Sequence, residues 1–134
     1  MQWRARNEHS EAGFTLVELL VVLAILGLLV AVATPQVLKY LGKAKIDTAQ
    51  IEIKSLSTAL DLYMIDVGRY PTQQEGLEAL VANPGVLATW HGPYVKSTTV
   101  PLDPWGHPYQ YRIPGQNGND FDLYTLDSNN VASQ

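Results

Sequence analysis

At 134 residues the chain has room for one compact domain, and it holds no cysteine, which excludes a disulfide, a thiolate nucleophile and a cysteine-ligated zinc. Nine basic and 13 acidic residues give a net charge of -4, and no basic stripe interleaved with aromatics runs through it; the pattern argues against a nucleic-acid partner. Apolar residues form 46% of the chain, but much of that share is concentrated near the N-terminus, so the core available to a globular part is modest.

The first element is that apolar segment. Leu19 to Ala33 reads LLVVLAILGLLVAVA, without one polar side chain, and Phe14 to Glu18 and Thr34 extend it. At about 1.5 Å per residue the whole stretch from Phe14 to Thr34 spans roughly 30 Å, the thickness of a bilayer's hydrocarbon core. One acid, Glu18, stands at its start and needs a physical reason. Three readings fit the segment: a secretory signal cut at the small residues Ala31-Val32-Ala33, an uncleaved anchor, or an anchor whose leader ends at Gly13. Charge counting does not orient it. Arg4 and Arg6 are offset by Glu8 and Glu11, while Lys39, Lys43 and Lys45 flank the other end, so the positive-inside rule taken literally favours the reverse topology.

Helical periodicity continues beyond the apolar run. Ala49, Ile53, Leu56, Leu60, Tyr63 and Val67 recur at alternating steps of four and three, and Asp47, Glu52, Lys54, Asp61 and Asp66 occupy the other faces. Pro35 and Gly42 interrupt otherwise helix-compatible residues, and a proline there kinks a helix without having to end it. The pattern predicts one helix from Thr15 to Val67, on the order of 80 Å long. Its first half is apolar on every side and its second half is amphipathic.

Thr72-Gln73-Gln74-Glu75 fits a capping box and predicts a short helix to about Val81, stopped by Asn83-Pro84-Gly85. Gly68 to Thr72 reads as a tight reversal that packs this helix on the long one. Residues 83–108 are rich in proline and glycine, with Trp90, Tyr94 and Trp105 as anchors for the loops and Asp103-Pro104-Trp105-Gly106 as a turn. Two strands follow, Tyr109–Ile113 and Phe121–Leu126, joined by the polar loop Pro114–Asp120 into a hairpin. The fold class is α+β.

Gly13-Phe14-Thr15-Leu16-Val17-Glu18 resembles the cleavage and methylation motif of type IV pilin-like proteins. Leu60-Asp61-Leu62-Tyr63 leading into Gly68-Arg69-Tyr70-Pro71-Thr72, then Glu75 to Leu80, and then Leu102-Asp103-Pro104-Trp105-Gly106 with Pro108-Tyr109, resemble the major pseudopilins of type II secretion systems. The resemblance implies a type IV pilin-like architecture: residues 1–13 a leader peptide, 14–34 a transmembrane and filament-core segment, 35–67 its amphipathic continuation, and 68–134 a periplasmic head. It implies cleavage between Gly13 and Phe14 by a prepilin peptidase, N-methylation of Phe14, and residence in the inner membrane as a single pass with the N-terminus cytoplasmic. It further implies self-assembly into a helical homopolymer that helps export folded proteins, with the minor pseudopilins, the inner-membrane assembly platform and its ATPase as partners.

In related filaments the acid at the position of Glu18 pairs with the N-terminal amine of a neighbour, here that of Phe14. The bland alternative places Glu18 at headgroup level, favoured by the helix dipole. Gly13 admits close approach of the peptidase, or else merely breaks the helix ahead of the anchor. The balanced charge of the leader departs from the basic leader usual in the family.

No enzymatic constellation stands out. His9 lies in the leader, His91 and His107 lie in Pro/Gly-rich loops, and no metal-protease, nucleophile-elbow or phosphate-loop motif occurs. Asp120, Asp122 and Asp127 form a loose acidic group. The family resemblance implies a calcium loop after the last strand, but here Asp127-Ser128-Asn129-Asn130 supplies an incomplete set, with the Leu126 carbonyl, Asp127 and Asn129 as weak calcium candidates and no cofactor expected with assurance. Two other functions stay open at this point: a type IV pilus subunit, whose usual C-terminal disulfide the chain cannot form, and a soluble periplasmic binding domain released after Ala33.

Overall fold

The computed structural model describes residues 13–126, which divide into two compact units, one ending at Tyr40 and the other beginning at Leu41. The long helix α1 runs Leu16–Val67, one residue short of the predicted start. Thr15 opens it: its Oγ1 accepts the Glu18 backbone N–H at 3.2 Å, which satisfies one of the free amides of the first turn. Gly68 ends it, taking φ of 86° and donating its N–H to the Met64 carbonyl at 2.8 Å, a left-handed cap that a side chain would strain.

Pro35 lies inside α1 and does not end it. A proline has no N–H to give the Ala31 carbonyl, and the adjacent Thr34 hydroxyl donates to the Val30 carbonyl at 2.7 Å, so the helix carries a side-chain bond one residue from the lost backbone bond. In the first unit every residue of α1 is exposed, and the apolar part qualifies by length and hydropathy as a membrane span.

The second unit has a core of its own. Ala49, Ile53, Leu56, Ala59, Leu60 and Tyr63 of α1 are buried, and Val67 packs at their edge, so the predicted stripe is the core-facing side. Against it lie Leu77, Ala79 and Leu80, then Tyr109, Tyr111, Phe121 and Leu123. Strands β1 (Gln110–Arg112) and β2 (Asp122–Tyr124) pair antiparallel with Tyr111 opposite Leu123, each shorter than its predicted run.

The predicted capping box forms: the Glu75 N–H donates to Thr72 Oγ1 at 3.2 Å and the Thr72 N–H to Glu75 Oε2 at 3.0 Å. The element it opens is nevertheless a 3-10 turn, Gly76–Leu80, and not an α-helix. Gly76 takes φ of 59° directly after the box, which breaks the helical path before a full turn has closed.

Loops close the head through polar side chains. The Trp90 indole donates to the Ala79 carbonyl at 2.8 Å, and the Tyr94 hydroxyl donates to Asp66 at 2.8 Å, so both act as the expected anchors. Gln73 fastens the outer edge of β1: its amide nitrogen donates to the Tyr111 carbonyl at 2.7 Å and its oxygen accepts the Ile113 N–H at 3.0 Å. One side chain thus takes the place of a third strand at that edge.

Candidate functional site

The residues singled out for processing and assembly sit at the start of α1. Gly13 and Phe14 precede the helix in non-helical conformation, and Phe14 is exposed. A Cβ built on Gly13 would meet nothing within 4 Å, and Thr15 already supplies the cap, so neither the chain's packing nor the helix start demands glycine there.

Glu18 is the third residue of the helix and the acid of its first turn. Its backbone is held by Thr15, while its carboxylate has no hydrogen bond or ion pair with another described residue. The helix N-terminus favours a negative charge there by about 0.3–1 kcal/mol, which is too little to offset burial of an unpaired carboxylate in hydrocarbon. Leu16, Val17, Leu19, Leu20 and Val21 around it are all exposed. An isolated charge in an uncovered apolar surface can accept a cation from another molecule. The Thr15-x-x-Glu18 spacing was itself a legible helix-start signal that sequence reading had not used.

Several of the head's charged groups are committed to structure. Arg69 grips both carboxylate oxygens of Glu75 at 2.8 Å each, and this, with the Thr72 amide, holds the Glu75 pKa down at about 2 despite partial burial. Asp122 accepts the Gln116 N–H at 2.8 Å and the Arg112 guanidinium at 2.6 Å, which lower its pKa. Asp103 is buried; burial alone would raise its pKa, but the Thr125 hydroxyl and the backbone amides of His107 (2.8 Å) and Trp105 (3.0 Å) outweigh it and bring it below the ordinary value. The expected turn is thereby more than a turn: its first residue is a buried polar hub, invisible from spacing because Thr125 lies far along the chain.

These assignments bear on metal and catalysis. Asp122, one of the loose acidic group, is engaged by Arg112, Gln116 and Asn119. Asp127 and Asn129 lie outside the described residues, and Leu126, the remaining calcium candidate, is exposed at their boundary. Among the described residues no group of three or more His, Cys, Asp or Glu is placed to hold a metal. His91 stands with its Nδ1 2.7 Å from the Thr89 carbonyl and 3.9 Å from Asp66, at the surface of a loop, and the His107 backbone serves Asp103. His9 lies outside the described residues.

The chain is similar to known proteins. Residues 36–133 match the family model described as type II secretion system (T2SS), protein G, and residues 9–34 match the prokaryotic N-terminal methylation motif. The type II secretion system core protein G of Pseudomonas aeruginosa is 45% identical over 124 residues, covering 90% of this chain and 85% of the relative. That of Vibrio cholerae is 42% identical, covering 90% and 83%. The crystal structure of the major pseudopilin from the type 2 secretion system of enterohaemorrhagic Escherichia coli is similar with a TM-score of 0.56 and 34% identity, over 66% of this chain and 78% of that one. A long N-terminal helix, a small head with a two-stranded antiparallel sheet, and these matches over most of the sequence place the chain in the type II secretion system protein G family, the major pseudopilins.

Proposed function

We propose that this major pseudopilin is processed between Gly13 and Phe14 by a prepilin peptidase, methylated on the new Phe14 amine, and held in the bacterial inner membrane by residues 14–34 until assembly. The leader side faces the cytoplasm and the head the periplasm. Copies then leave the bilayer and polymerise into the pseudopilus, with apolar helices inside and heads outside, and the growing fibre helps move folded proteins across the outer membrane. The chain acts as a structural subunit without a reaction of its own. Minor pseudopilins and an inner-membrane assembly platform are its partners, and the platform's ATPase supplies the energy.

One observation carries the reading: Glu18 lies in the first turn of the helix, and among the described residues its carboxylate has no partner and the apolar surface around it has no cover. Moving that surface from lipid into a bundle of its own kind leaves the carboxylate to be compensated, and the Phe14 amine of a neighbouring copy is the nearest cation that cleavage creates. The pair selects one axial stagger, because other staggers leave both charges unpaired. Release after Ala33 fits less well. Ala33 lies within the continuous helix, next to the Thr34 hydroxyl bonded to Val30, so a signal peptidase would have to unwind it.

The test is Glu18→Ala in cells that carry the secretion machinery. Processing and methylation are expected to persist while filaments seen by electron microscopy disappear; abundant normal filaments from the variant would refute the role of Glu18.

A further inference from the structure

Between Glu18 and Asp47 the charged residues are Lys39, Lys43 and Lys45, and all are positive. They follow the end of the apolar run at Thr34 by five, nine and eleven residues. Lys39 and Lys43 are exposed, Lys45 is half-buried, and none is paired with an acid among the described residues. Tyr40, 73% exposed beside Lys39, carries the kind of amphipathic ring that collects at membrane–water boundaries.

With residues 14–34 in the bilayer and the head in the periplasm, these lysines run against the positive-inside rule, so orientation does not account for them. Their depth does. The headgroup layer adds about 5–8 Å to each side of a hydrocarbon core of about 30 Å, and five residues of helix advance about 7–8 Å, so Lys39 emerges at the level of the lipid phosphates. Side chains on a helix tilt toward its N-terminus, here toward the bilayer, and the apolar stem of a lysine lets its ammonium reach along that direction. Lys43 and Lys45 come four and six residues later, so the chain tethers them within about a Debye length, 8–10 Å, of Lys39. No acid in the interval offsets them. The three make a basic segment whose neighbour is set by the adjoining span: the charged surface of the bilayer.

We propose that Lys39, Lys43 and Lys45 form an anionic-lipid site, in which their ammonium groups hold the phosphodiester headgroups of the leaflet on the head side. The inference rests on the anchoring of residues 14–34 and adds to it a headgroup contact that fixes the depth of the helix before assembly and must be released when a copy leaves the bilayer. A zwitterionic headgroup has no net charge to attract three cations, so the site selects anionic lipid, and salt screens the attraction.

The test uses the chain purified from membranes and reconstituted into phosphatidylcholine vesicles that contain a trace of photoactivatable phosphatidylglycerol or photoactivatable phosphatidylcholine. At about 0.1 M salt the anionic probe is expected to cross-link to the chain roughly fivefold more than the zwitterionic one, and at about 1 M salt, where the Debye length falls to about 3 Å, the two should approach equality. Lys39→Gln, Lys43→Gln and Lys45→Gln combined are expected to bring the ratio to about one, while arginine at the same three positions keeps it. Lys54→Gln with Lys96→Gln, which removes charge elsewhere, should leave the ratio unchanged. An unaltered chain that takes both probes equally, or a triple glutamine variant that keeps the anionic preference, would overturn the site while leaving the anchor intact. Stripping of the unaltered chain from the vesicles by an alkaline wash would instead defeat the anchor reading, and the site with it.

Discussion

Leu20 and Leu60 are the same residue type in the same helix, yet Leu20 is 60% exposed and Leu60 is 0% exposed. The difference separates two ways of making a helix stable. Around Leu60 the chain supplies its own cover, from the 3-10 turn and both strands, so the periodic stripe is satisfied within one copy. Around Leu20 the side chains from Leu19 to Ala33 are apolar on every face, and none of the described residues covers them. At about 1.5–3 kcal/mol for each large apolar side chain, exposing that run to water would cost on the order of tens of kcal/mol, so it must be held by lipid or by other copies. The first region encodes association and the second encodes a fold.

The largest expected effect on that contrast is at Glu18. Removing its carboxylate leaves the head's melting unchanged but abolishes polymerisation, which filament counts and melting of the detergent-solubilised chain would separate. Leu60→Ala does the reverse. A cavity in the head core is expected to cost about 2–5 kcal/mol, read as a lower denaturation midpoint of the solubilised chain, while cleavage at Gly13 persists. Asp103→Ala comes next, at about 1–3 kcal/mol, because it removes the buried acceptor that the His107 and Trp105 amides and the Thr125 hydroxyl share.

Acid sharpens the account of the head. The Glu75 pKa is held at about 2, below its ordinary 4.5, and Asp103 and Asp122 are also lowered. A carboxylate depressed in the folded state contributes its full stabilisation above its unfolded pKa and loses it as pH falls through the folded one. Head stability is therefore expected to be flat from neutral pH to about pH 5 and to decline from there toward pH 2. Arg69→Ala should reduce stability at neutral pH by about 1 kcal/mol, the partly exposed pair being screened by water, and should make the acid decline shallower. A smaller effect still is expected of Leu20→Ala: the head's midpoint should move by less than about 0.5 kcal/mol, and a larger shift would show that the two regions are not separable in this way.

Elements built on local rules were readable from the residues. The 3.6-residue recurrence from Ala49 to Val67 places the core face of α1, and Gly68 marks its end. Thr72 and Glu75 form the box that their spacing implies. The features that escaped depend on contacts across the sequence. Gln73 reaches Tyr111 and Ile113 at the far strand, Tyr109 reaches Glu52 on the helix, and Asp103 reaches Thr125. No spacing rule links such residues, because the fold alone brings them together. The 3-10 form of Gly76–Leu80 escaped for a different reason: a local capping signal was overridden by the positive φ of the glycine directly behind it.

At the start of α1 the position was different. Glu18 was conspicuous because its burial is costly wherever it goes, and its carboxylate has no partner among the described residues. On the proposed reading its partner is the amine of Phe14, which becomes a charged end only if the bond behind Gly13 is cut.

The most direct test is therefore intact-mass and N-terminal peptide mass spectrometry of the protein from a bacterium that carries a prepilin peptidase. A mature chain beginning at N-methylated Phe14 is the predicted result. A chain beginning after Ala33, or one that keeps its leader in assembled filaments, would contradict the account.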